Sequence, residues 1–135
     1  MSLAFFDTNI LVYCFARGDP RMPTARNLLA AGGCIGVQSL NEFANVAWRK
    51  MRLPWSKLHG AREQILMVCE PPVPVTFDIH EAGLALAEQH AFSIYDAMIV
   101  AAALKAGCDI LYSEDMHNGL VVDGRLTIIN PFAAR

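Results

Sequence analysis

At 135 residues, 54% apolar and 18% charged, the chain has room for one domain with a substantial core, and it is neither disordered nor fibrous. No stretch approaches the ~18 consecutive apolar residues of a membrane span, and no basic, apolar, then small-residue leader opens it, so membrane residence and secretion are not expected. Net charge is −2, yet residues 17–62 carry eight of the eleven basic side chains against two acids, Asp19 and Glu42, while residues 63–135 carry ten acids against three basic groups; this permits a nucleic-acid surface on the first half, or an ordinary solvated helix face.

Leu3-Ala4-Phe5-Phe6 is a short apolar run that stops on Asp7. An unbroken run of this length reads as a strand buried on both faces. Met1-Ser2-Leu3 is also compatible with a vector-derived start. Residues 9–15 predict a short helix capped by Thr8 or Asn9, broken at Gly18-Asp19-Pro20. Residues 21–31 predict a second helix, ended by Gly32-Gly33. Residues 34–37 read as a second strand. Ser39-Leu40-Asn41-Glu42 follows as a capping box, with Ser39 as N-cap of a helix running to about Lys50. Residues 55–69 predict a further helix with Leu58, Ala61, Ile65 and Val68 at helical spacing.

Pro71-Pro72-Val73-Pro74-Val75 reads as a linker that stiffens into a brief third strand, at a sheet edge because Pro74 cannot donate. Residues 80–90 form an amphipathic helix. Ser93-Ile94-Tyr95-Asp96 repeats the capping logic, and the all-apolar helix behind it, residues 97–104, is expected to be buried all round. Residues 109–112 are a fourth strand, 121–125 a turn region, and 126–129 a fifth strand. Strands alternating with helices predict an α/β fold with a mainly parallel sheet, in a single domain over residues 1–135. Cys14, Cys34, Cys69 and Cys108 are scattered among apolar residues, which suits buried thiols in a reducing compartment and a cytoplasmic protein.

Four acids share a position. Asp7 and Asp115 fall just past strand ends; Glu42 and Asp96 fall in the first turns of helices that follow a strand or loop. In a parallel sheet all four lie on the carboxyl-end rim, where ligands bind. Clustered carboxylates repel, by about 4 kcal/mol for two charges ~4 Å apart at an effective dielectric near 20, so protons or cations must relieve them. Hard oxygen ligands select Mg²⁺ or Mn²⁺ over zinc, and such ions suit phosphodiester cleavage. Each acid also has a plain structural role: Glu42 and Asp96 in capping boxes, Asp7 as an N-cap, Asp115 in a turn. None of these roles explains why all four share one rim.

Phe6-Asp7-Thr8-Asn9, Leu40-Asn41-Glu42-Phe43, the run from Tyr95-Asp96 to Ala103, and Leu111-Tyr112-Ser113-Glu114-Asp115 together resemble, in order and spacing, the PIN-domain ribonucleases. The likeness spans essentially the whole chain and is strongest to VapC-type toxins of toxin–antitoxin pairs. The resemblance implies a three-layer α/β/α fold with a five-stranded, mainly parallel sheet, and metal-dependent endonuclease activity on RNA. By position it makes Asp7, Glu42, Asp96 and Asp115 the acidic metal site, for Mg²⁺ or Mn²⁺, with Asn9 and Ser113 in support. Glu114 competes with Asp115 for the fourth place; the family's Thr/Ser-x-Asp pattern favours Asp115, with serine here for the commoner threonine. A homodimer and a cognate antitoxin are also implied.

Arg49, Lys50, Arg52 and Lys57 are candidates to hold RNA phosphates. Trp48, Trp55 and Phe43 stand at helical spacing, which suits core packing as well as base stacking. The histidines, His59, His80, His90 and His117, form no zinc-ligand spacing, and no glycine pattern matches a nucleotide loop. Two other functions compete with the ribonuclease: a catalytically silent PIN-like module that binds nucleic acid or protein, and a phosphohydrolase with Asp7 as nucleophile. The second is disfavoured because Asn9 stands where that chemistry wants a second aspartate.

Overall fold

The computed structural model describes residues 3–133; Met1 and Ser2, on which the expectation of a vector-derived start rests, lie outside the described residues. The elements in order are β1 (Ala4–Phe6), α1 (Thr8–Tyr13), α2 (Met22–Ala30), α3 (Val37–Arg49), α4 (Trp55–Val68), α5 (Phe77–His90), α6 (Ile94–Lys105), β2 (Ile110–Tyr112), β3 (Val121–Val122) and β4 (Leu126–Ile129). The sheet runs β1-β2-β4-β3, with β1, β2 and β4 parallel and β3 antiparallel to β4.

Successive strand residues point to opposite faces, and this builds the three layers. Phe5 joins α5 and α6 in one core with Leu111, Leu126 and Ile128. Phe6 joins α1 to α4 in the other, with Ile10, Leu11, Phe43 and Ile65. Within α6, Ala97 and Ile99–Ala103 are buried, while Met98 and Leu104 of the same apolar run are half-buried. Gly83 of α5 lets the two helices approach: a Cβ there would meet the Met98 side chain at 3.0 Å. The four cysteines are free thiols, three of them buried. Among the described residues, no helix is long and apolar enough to cross a membrane.

Three expectations need correction. The sheet has four strands among the described residues, not five. The segments at 34–37 and 73–75 continue it on the β1 side only as isolated parallel bridges, Phe5–Cys34, Gly33–Cys69 and Gly36–Val73. Pro71 and Pro72 bring no N–H to that edge, so a continuous ladder cannot form.

Second, α3 starts at Val37, two residues before the predicted cap. Its N-cap is Gly36, extended and without a side-chain bond, and the Val37 amide donates to the Val73 carbonyl at 2.9 Å. The neighbouring chain satisfies the helix's first donor, so no serine cap is needed there. Ser39 is instead fully buried inside the helix, and Glu42 sits in the second turn.

Third, the turn region at 121–125 is a β-hairpin. Asp123 and Gly124 both take positive φ (53° and 64°), and the Arg125 amide donates to the Val122 carbonyl. That is the Asp-Gly turn that matches strand twist.

Candidate functional site

The site is built where β1 and β2 end side by side. The Asp7 amide donates to the Tyr112 carbonyl at 3.0 Å, which carries the ladder one residue past the strands and holds Asp7 against Ser113. Asp7 caps α1: its Oδ1 accepts from the Thr8 amide at 2.7 Å. Its Oδ2 accepts from the Ser113 hydroxyl at 2.8 Å. Asp7 is only 5% exposed, and Ser113 is fully buried. The N-cap role and the cleft position therefore belong to the same residue.

Asp7, Glu42, Asp96 and Asp115 line one cleft of about 380 Å³, together with Thr8, Asn9, Val12, Tyr13, Asn45 and Lys50. Glu42 comes from the second turn of α3, and Asp96 from the first turn of α6, whose N-cap Ser93 accepts from the Asp96 amide. Glu42 and Asp96 are half-buried and Asp115 is exposed. A second cavity opens on the far side of Asp96 and Asp115, lined by His90 and His117.

The supporting residues predicted from the sequence sit here too. The Asn9 amide group donates to Asp115 Oδ2 at 3.2 Å, and its Oδ1 accepts from the Glu114 amide at 3.3 Å. The Ser113 hydroxyl, besides donating to Asp7, accepts from the amides of Asp115 and Met116. Glu114 points elsewhere. It accepts two bonds from the Arg21 guanidinium, at 3.0 and 3.1 Å, and one from the Tyr13 hydroxyl, while Arg21 also pairs with Asp19 and lies 3.9 Å above the Tyr13 ring. Of the adjacent acids, the structure thus places Asp115 in the cleft and Glu114 in a charge-paired wall beside it.

Burial and mutual repulsion push the carboxyls up. Asp7 rises from 3.8 to about 6, chiefly by desolvation; the bonds from Ser113 and the Thr8 amide pull it down, and the charges of Asp96 and Glu42 raise it. Glu42 is raised by burial, against bonds from Gln38 and Thr8. Asp96 is raised by burial and by Asp115. Such a set binds either protons or a cation more readily than isolated acids do.

The sequence suggests Thr8 only as a helix cap, a place that Asp7 takes instead, and it does not single out Gln38. The Thr8 hydroxyl reaches Glu42 Oε2 at 3.3 Å. Gln38 donates to the Tyr95 carbonyl at 2.9 Å and approaches Glu42 Oε2 at 3.5 Å. Gln38 stands four residues before Glu42, a spacing that faces one helix side; the signal was hidden by starting the helix at Ser39. Of the four basic candidates, Lys50 lines the acid cleft, whereas Lys57 lines a separate cavity with Arg17 and Arg26. Arg49 and Arg52 are exposed and line neither. Phe43 is core, whereas Trp48 and Trp55 are not.

The donor chemistry, four carboxylates with hydroxyl and amide support, fits a hard divalent cation. Among the described residues, however, no group of three or more His, Cys, Asp or Glu side chains is drawn together tightly enough to hold a metal ion as it stands.

The PIN-domain family model matches residues 4–117. Among solved structures, the chain is similar to a VapC toxin of Mycobacterium tuberculosis that cleaves the sarcin-ricin loop: 24% identity, 83% of this chain and 89% of that one, TM-score 0.68. A toxin–antitoxin complex from Klebsiella pneumoniae aligns at 21% identity over 97% of this chain and 99% of that one, with a TM-score of 0.73. FitAcB from Neisseria gonorrhoeae aligns at 15% identity over 98% and 100%, with a TM-score of 0.65. At these identities the structural likeness speaks for the fold. No protein with a curated description matches the chain.

Proposed function

The chain belongs to the PIN-domain family, and from that premise we propose that it is a Mg²⁺- or Mn²⁺-dependent endoribonuclease, the toxin of a toxin–antitoxin pair. The reading rests on one observation above the rest: four carboxylates from segments far apart in the chain line a single cleft at the carboxyl rim of the sheet. The similar solved structures include a sarcin-ricin-loop-cleaving toxin and toxin–antitoxin complexes, which supports RNA as substrate and an antitoxin as partner. The proposed unit is one PIN-like domain over residues 1–135, acting in the cytoplasm and paired as a homodimer.

In this reading Asp7, Glu42, Asp96 and Asp115 hold the cation. When bound, it supplies an activated water and charge stabilisation at a phosphate oxygen. The chain's own part is to keep the acids ready. Ser113 fixes the Asp7 carboxylate with a hydrogen bond and, through the amides it accepts, fixes the loop that carries Asp115. Asn9 ties Asp115 to the start of α1. Thr8 and Gln38 orient Glu42. Lys50, at the cleft mouth, offsets repulsion between the acids and an incoming phosphate.

The test is RNA cleavage with added Mg²⁺ or Mn²⁺ by the wild type, Asp7→Asn and Asp96→Asn; cleavage surviving both changes sinks the site. Asp115→Asn should lose more turnover than the about 10- to 100-fold expected of an outer partner. Glu114→Gln should keep turnover within that range and lose thermal stability instead, through the Arg21 and Tyr13 contacts. A second reading, a PIN-like module that binds without turnover, draws on the spread of the acids. Calorimetry showing no Mn²⁺ binding to the wild type would favour it.

A further inference from the structure

Trp48 and Trp55 belong to neither core. Trp48 stands in the last turn of α3 and Trp55 opens α4. Their rings stack with centroids 4.5 Å apart and planes 23° apart, yet they remain 47% and 55% exposed. Two large aromatic rings left side by side in water mark a contact surface.

The setting gives that surface a sign. From Phe43 to Arg62 the chain has five basic side chains and no acid. Arg49, Lys50, Arg52 and Lys57 are exposed, and among the described residues none of them forms an ion pair. The turn between α3 and α4 holds Arg52 in a left-handed conformation (φ 54°).

The platform also adjoins the acid cleft. Lys50 and Asn45 line the cleft, and Trp48 lies three residues past Asn45, one turn along the same stripe of α3. From Glu42 to Trp48 the helix rises about 9 Å. That is less than three steps of the ~3.4 Å between stacked nucleotides.

We propose that Trp48 and Trp55 form a stacking platform for unpaired nucleobases, with Arg49, Lys50, Arg52 and Lys57 holding the phosphates of the same strand. The chain then takes single-stranded RNA in preference to duplex and leads it into the acid cleft. This deepens the nuclease reading and rests on it for the fate of the strand. Every base has a π-face, so stacking tolerates any sequence. A duplex keeps those faces inside its own stack. A second copy of the chain would bring a basic collar of the same sign and be repelled. A neutral apolar helix would leave the four cations without counter-charges.

The experiment uses the full chain in chelator, so that neither cleavage nor cation binding enters. A fluorescein-labelled oligouridylate is titrated while tryptophan emission and label anisotropy are followed. Emission should be quenched, and duplex RNA of equal length should bind at least about fivefold more weakly. Trp48→Ala and Trp55→Ala should each weaken binding at least about fivefold, and Trp55→Phe should stay within about twofold of the wild type. The wild-type quenching needs no variant to fold, and circular dichroism checks those that are used.

Absent quenching, equal binding of duplex, or alanine variants that bind as tightly as the wild type would overturn the platform. So would equal quenching by polyglutamate, which would assign the surface to an acidic protein segment. Loss of these tryptophans that shifts only the sedimentation of the free chain would assign it to self-association and overturn the proposal equally. Wild-type protein that quenches with RNA yet never cleaves it would sink the nuclease reading and uphold the platform.

Discussion

At Asp7 the folded chain binds a proton more tightly than the unfolded chain does, because burial and the charges of Asp96 and Glu42 oppose ionisation. The sign of the consequence follows from proton counting. Between pH 3.8 and about 6 the folded state holds more protons, so metal-free stability falls as pH rises through that window. The cost is absent below it and complete above it, at up to about 3 kcal/mol. Asp7→Asn should therefore be more stable than the wild type near pH 7 in chelator, by up to that amount, and nearly equal to it near pH 4. Calorimetric melting at the two pH values checks this; an unchanged difference would show that Asp7 is not the group responsible. Ser113 acts through the same carboxylate. Its hydroxyl bond lowers the Asp7 value, so Ser113→Ala should move the acid limb of the pH–activity profile upward. It also leaves the Asp115 and Met116 amides without their acceptor, at a cost of about 1–3 kcal/mol. A variant that lost stability with an unmoved profile would make Ser113 purely structural.

Among the elements, the parallel layer was legible where a single signal ruled and obscure where neighbours decided. Phe5-Phe6-Asp7 and Leu111-Tyr112-Ser113 announce strands ending on polar residues, and both strands pair in register, Phe5 with Leu111 and Phe6 with Tyr112. The run Ala97–Leu104 announces a mostly buried helix because it holds no polar side chain. The start of α3 was not legible, since the group that satisfies its first amide is the Val73 carbonyl, 36 residues away. The Asp123-Gly124 turn carries a hairpin signal, but the strand it returns from, Val121–Val122, is too short to show a period of its own. Two rim acids were placed for a capping reason that holds only at Asp96; Glu42 reaches the cleft from a second turn, so the shared rim survives a wrong local rule. One close approach ties these pieces together. At Gly33 an added Cβ would lie 2.7 Å from a Phe6 ring carbon and 2.8 Å from the Ala4 carbonyl oxygen. The latter is backbone and cannot swing aside, and it also accepts from the Cys34 amide. Gly33→Ala should thus push the 33–36 segment off β1, costing about 1–3 kcal/mol. Denaturant unfolding would measure it, and a neutral result would show that this edge gives way freely.

At the scale of the whole molecule the charge is divided rather than balanced. Net charge is only −2, yet four carboxylates line one cleft while residues 43–62, across the α3–α4 turn, carry five basic side chains and no acid. The folded chain thus carries an electrostatic cost that a divalent cation would remove, and a cation held at the proposed site would link its binding to folding. A ligand that binds only the folded state adds about 2.7 kcal/mol at one hundred times its Kd. For a domain of this length that is a rise in Tm of roughly 10 °C. Adding Mn²⁺ to the wild type should therefore raise Tm by about that much, and more at pH 7 than at pH 5, where Asp7 holds its proton. Asp7→Asn should reverse the pattern: a higher Tm than the wild type in chelator, and little further rise with Mn²⁺. The two effects have opposite signs in one variant, so general stabilisation cannot mimic them. Equal metal-induced shifts in wild type and Asp7→Asn would place the cation elsewhere, and no shift in either would leave the acids as a cluster that proton uptake alone relieves.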